Sequence, residues 1–168
     1  KNYREKTGTV RFRRLERPAR RVYEIVSAGL PDGSVLMTAS ADGLWQTDIR
    51  GRVTRIISNE HLTALGSGSY DPTILVTGST DGIVRTLKYK EDDWSNLGPV
   101  NKEPLDGTIK KIIQLHKDEW WILTSSPALL TRMQCGKTDT LFFSYGKEQG
   151  LACDTLSHIA AVDNRLYV

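Results

Sequence analysis

Ten residues of this 168-residue chain occur twice, 39 positions apart. Val35-Leu36-Met37-Thr38-Ala39-Ser40-Ala41-Asp42-Gly43-Leu44 is echoed by Ile74-Leu75-Val76-Thr77-Gly78-Ser79-Thr80-Asp81-Gly82-Ile83, with Leu, Thr, Ser, Asp and Gly identical at five of the ten positions. Each copy is an apolar β-prone run, an Asp-Gly pair and a second apolar run. Asp and Gly tolerate the positive φ angles of a two-residue hairpin turn, so each copy predicts a hairpin with Asp-Gly at its tip.

A hairpin recurring at about 40 residues predicts a repeat architecture, and four short strands per repeat suit a β-propeller. The expected fold is therefore all-β: a partial β-propeller of about three complete four-stranded blades plus flanking part-blades. The strand and turn signals divide the chain into residues 1–21 (a basic segment and the outer strand of a preceding blade), blades at 22–60, 61–107 and 108–154, and the start of a further blade at 155–168. Thr38, Thr77 and Thr124 mark equivalent positions in the three blades. In the third, Ser125-Ser126-Pro127-Ala128 replaces Ser-x-Asp-Gly, and its turn must differ because Pro cannot take positive φ. An arc of this kind leaves unpaired edges, so remaining propeller blades, in the same chain or a partner chain, are expected to complete it. The missing starting Met and the end at Leu166-Tyr167-Val168 fit a piece of a longer chain.

Two families share these features. Thr77-Gly78-Ser79-Thr80-Asp81-Gly82-Ile83-Val84-Arg85 resembles the Ser-x-Asp-Gly segment of a WD repeat, though Leu87-Lys88 stands where that family has Trp-Asp. Gln149–Ala160, Arg165-Leu166-Tyr167-Val168 and Ala41-Asp42-Gly43-Leu44-Trp45 resemble the two-component-regulator type of propeller repeat. Both resemblances imply a non-catalytic scaffold or recognition module acting in macromolecular, mainly protein–protein, interaction. A ligand-sensing input domain of a signalling receptor is the first alternative, and a propeller hydrolase or lyase the second.

Composition narrows the partner. The net charge of +3 is unevenly spread: residues 1–21 carry nine basic and two acidic side chains, so that segment is +7 and the remainder −4. The expected partner-binding residues are Arg11, Arg13, Arg14, Arg17, Arg20 and Arg21, contacting a protein with an acidic surface. Nucleic acid ranks second, because only Tyr3, Phe12 and Tyr23 are near enough to stack on bases. The bland alternative is a solvated outer strand.

No catalytic, cofactor-binding or metal-binding residue is expected, and no cofactor. His61, His116 and His158 fall at different points of the repeat, each read as a histidine satisfied by a backbone hydrogen bond. Gly136-Lys137-Thr138 lacks the earlier Gly of a phosphate loop, since residue 131 is Thr. Asp42 and Asp81 read as turn caps that bond the local backbone. Alternation puts Trp120 and Trp121 on opposite faces of one strand, and Trp94, after an acidic turn, is expected to be exposed near an edge. No apolar run has the length of a membrane span. Cys135 and Cys153 read as inert thiols in a reducing compartment, with a bacterial periplasm the alternative.

Overall fold

A computed structural model describes residues 21–31, 33–125, 128–151 and 156–168. Among the described residues fourteen strands follow one another: β1 (Val22–Leu30), β2 (Gly33–Ser40), β3 (Gly43–Thr47), β4 (Val53–Ser58), β5 (Leu62–Ser67), β6 (Ile74–Ser79), β7 (Val84–Lys90), β8 (Asp93–Pro99), β9 (Thr108–His116), β10 (Glu119–Ser125), β11 (Leu130–Cys135), β12 (Thr140–Tyr145), β13 (Ala160–Val162) and β14 (Arg165–Tyr167). They form three four-stranded antiparallel sheets in chain order, β1 to β4, β5 to β8 and β9 to β12, and a small pair, β13 with β14. Each sheet is a meander, the connection expected of short β-branched runs separated by tight turns.

The first strands β1, β5 and β9 lie side by side, so the sheets are arrayed around a shared inner edge. Alternation then decides the packing: one set of side chains on each strand faces the preceding sheet and the other set the following one. Between the first and second sheets lie Met37, Ala39, Leu44 and Ile57 from one side and Leu62, Leu65, Leu75, Leu87 and Trp94 from the other. Between the second and third lie Ala64, Val76 and Val84 against Ile109, Ile112, Trp120, Ile122 and Met133. Beyond the third, Leu123 and Leu130 pack with Ile159, Leu156 and Leu166. The core is therefore three seams rather than one centre, which is the packing of an open propeller arc.

The two echoed turns differ from the expected hairpin. Ser40 already pairs with Gly43, so the first loop is Ala41-Asp42. In the second, the ladder ends at Gly78 with Val84, and Ser79 N–H donates to Ile83 O across a longer loop. Neither Asp has positive φ; the glycines do, at +136° for Gly43 and +76° for Gly82. The reason is steric. A Cβ on Gly43 would lie 1.9 Å from Ile57 O, and one on Gly82 2.0 Å from Leu105 O. What the copies share is a Ser-x-Asp bracket: Ser40 Oγ donates to Asp42 Oδ1 at 2.8 Å and Ser79 Oγ to Asp81 Oδ1. The serine hydroxyl is thus a partner that the two Asp side chains have in common, and at Asp42 a local backbone hydrogen bond adds to it.

Trp94 corrects another expectation. It is 7 % exposed, stacked edge-on with Tyr89 at 5.3 Å, and its indole N–H donates to Gln46 Oε1 of the neighbouring sheet at 2.7 Å. Trp120 is buried and Trp121 half-buried on the opposite face, as alternation requires.

Candidate functional site

The Ser-x-Asp turns and the starts of β1, β5 and β9 share one rim of the arc. Val22 pairs with Ser40, Leu62 with Ser79 and Thr108 with Ser125. The chain also enters each of the first two sheets in the same way: Ala41 N–H donates to Arg21 O, and Thr80 N–H to His61 O, at 3.0 and 3.1 Å. Arg21 and His61 are therefore equivalent positions.

Polar side chains gather there. Exposed Arg21 places its guanidinium 5.1 Å from the Tyr23 ring centre. Tyr23 in turn stacks on His61 at 5.1 Å, and its hydroxyl is 2.6 Å from His61 Nε2. A side chain of the adjacent sheet, not a backbone group, satisfies this histidine. Glu24 on β1 pairs with Lys111 on β9, spanning the strand between them. Thr63 Oγ1 donates to Ile109 O at 2.6 Å and Thr108 Oγ1 to Thr80 O at 3.1 Å, locking the inner strands of the second and third sheets.

The two Asp side chains of this rim have different hydrogen-bond partners. Asp42 takes Ser40 Oγ, Trp45 Nε1 at 3.3 Å and Arg55 Nη2 at 3.3 Å, with the Arg55 guanidinium 4.2 Å over the Trp45 ring. The Ser40 hydrogen bond first, then the indole and Arg55, hold its carboxyl below the usual Asp value, against the effect of burial. In the second sheet Arg85 stands where Trp45 stands in the first, each facing the repeat threonine. Arg85 Nε turns instead to Glu60 Oε2 at 2.8 Å. Asp81 keeps a single hydrogen bond among the described residues, from Ser79. It borders a pocket of about 230 Å³ with Asn59, Glu60, His61 and Arg85.

Of the six arginines expected to bind a partner, Arg21 is placed on this rim; Arg11, Arg13, Arg14, Arg17 and Arg20 lie outside the described residues. The histidines are not brought together: His61 is at the start of β5 and His116 at the far end of β9. Among the described residues no group of three or more His, Cys, Asp and Glu side chains is placed to hold a metal. Cys135 is a free, half-buried thiol whose pKa burial and the nearby Asp118 push up, while Cys153 is outside the described residues. The Tyr23–His61 and Glu24–Lys111 pairs escaped sequence reasoning, because partners 38 and 87 residues apart leave no local pattern.

The sheets define the molecule as an arc of a β-propeller. Comparison with solved structures agrees at the level of fold. A crystal structure of an auxiliary nutrient binding protein from Bacteroides thetaiotaomicron VPI-5482 superposes with a TM-score of 0.52 at 10% identity, over 76% of this chain and 33% of that one. The chain thus spans about a third of the length of the structure it matches. No family model matches the sequence, and no curated protein does.

Proposed function

We propose that this chain is a non-catalytic recognition module whose Ser-x-Asp rim docks a partner protein through an acidic surface. The observation that carries the reading is the placement of Arg21. It is exposed, it opens β1 on the rim, and in the sequence it is the last of the run of arginines. A guanidinium grips a carboxylate as a planar fork, and charge reversal should hurt more than neutralisation.

The test is binding of an acidic probe, polyglutamate, and of a DNA duplex, at two salt concentrations. The R13E/R14E/R17E/R20E variant is expected to lose polyglutamate binding while keeping the unsubstituted melting midpoint. Equal binding by both proteins refutes the reading. A log–log salt slope for the duplex of about −0.9 per phosphate, at higher affinity than polyglutamate, assigns the surface to nucleic acid instead.

A second reading, ligand sensing, is favoured by the pocket beside Asp81. Its carboxylate has spare acceptor capacity next to the Glu60–Arg85 pair, a mixed-charge lining suited to a small polar molecule. Chemical-shift changes at Asp81 and His61 on titration with amino acids or monosaccharides would support it. Silence across such a set would count against it.

A further inference from the structure

Among the described residues, the first sheet has one face packed on the second sheet, while on its other face Ile25 and Leu36 stand exposed. We propose that the open face, carrying Ile25, Leu36 and Trp45, is half of an inter-sheet seam, and that a further four-stranded blade of the same polypeptide covers it.

The ladders allow a position-by-position comparison. In the first sheet Ile25 pairs with Thr38, Thr38 with Trp45, and Leu36 with Thr47. In the second, Leu65 pairs with Thr77, Thr77 with Arg85, and Leu75 with Leu87. Ile25 therefore corresponds to Leu65 and Leu36 to Leu75. The second-sheet residues are shut inside the seam, Leu65 at 1 % and Leu75 at 0 % exposure; the first-sheet residues stand at 57 % and 44 %. The same positions carry the same aliphatic chemistry, and only one set is covered.

A branched aliphatic side chain repeated at a seam position is costly to leave in water, by about 1.5–3 kcal/mol each, and contiguous apolar patches of this kind mark contact surfaces. Exposed Ile49 extends the patch. A groove of about 410 Å³ runs along it past Leu36, Thr47 and Ile49.

The mode of chain entry argues for a blade in the same polypeptide. At the covered seam, the chain leaves β4, the outer strand of the preceding sheet, and reaches the rim at His61, where its carbonyl accepts Thr80 N–H. At the open seam Arg21 makes the equivalent bond with Ala41 N–H. The chain therefore arrives at β1 by the contact it makes elsewhere on crossing from one blade to the next.

The test is cysteine labelling of the polypeptide as its gene encodes it, with I25C and L36C as probes and L97C as the reference. Leu97, on the outer strand β8, is 62 % exposed, and background from the unsubstituted protein is subtracted. I25C and L36C are expected to react with a maleimide at least ten times more slowly than L97C, and hydroxyl-radical oxidation of the Ile25 and Leu36 side chains in the unsubstituted protein is expected to be slow beside that of Leu97. Rates equal to L97C overturn the proposal. So does protection that vanishes on dilution, which would make the cover a separate chain or a second copy. Slow side-chain oxidation of both residues in the unsubstituted protein that persists on dilution supports it even if a cysteine variant fails to fold.

Discussion

Gly82 combines a φ of +76° with a backbone carbonyl 2.0 Å from where a Cβ would sit. A side chain there must both strain the backbone and displace Leu105. Gly82→Val is expected to cost at least the 1–3 kcal/mol of a strained residue, read as a lower denaturant midpoint; an unchanged midpoint would refute the turn geometry. The reverse effect is available at Glu91, which holds φ +53° in the two-residue turn Glu91-Asp92 between β7 and β8. Asn visits that region more readily than Glu, so Glu91→Asn is expected to raise the denaturant midpoint. Asp42 supplies a pH signature. Its folded pKa lies below the unfolded value, with Ser40 the leading cause. The stability it contributes is present above the ordinary Asp range and is lost as pH falls through the lowered pKa. Ser40→Ala should raise the Asp42 midpoint in an NMR titration and shift the acid limb of the stability curve to higher pH; an unmoved midpoint would deny the bracket its role.

Strands whose signal is local were legible in the sequence, and partners were not. Val35–Thr38, Ile74–Thr77 and Trp120–Thr124 fall within β2, β6 and β10 because period-2 alternation and flanking turn residues sit within a few positions. Trp94 was misplaced because its burial depends on Gln46, 48 residues earlier on another sheet. Its acidic neighbours describe the turn, not the ring. The inner strands also defeat a simple 39-residue offset: Ile25 pairs with Thr38 and Leu65 with Thr77, so the inner strands repeat one residue later than the threonines they face. The same dependence on a distant partner makes the Trp94–Gln46 bond a test of seam packing. Gln46→Ala leaves the buried indole N–H without its acceptor and is expected to cost about 1–3 kcal/mol. A loss below 0.5 kcal/mol would show that the bond is dispensable.

Across the whole molecule, cohesion comes from contacts between successive sheets, with the Glu24–Lys111 pair reaching from the first to the third. Both side chains are partly exposed, so a double-mutant cycle is expected to give about 0.2–1 kcal/mol of coupling that fades with added salt. Zero coupling at low salt would make it a bystander. Because each apolar seam belongs to two adjacent sheets and to no others, the chain behaves as a row of couplings in which a unit communicates with its immediate neighbours. A duplication or deletion of one whole unit during evolution would therefore leave the remaining seams intact and redraw only the junction where the change occurred. The length of such a protein is free to drift in steps of one repeat, while the identity of any single seam residue is not.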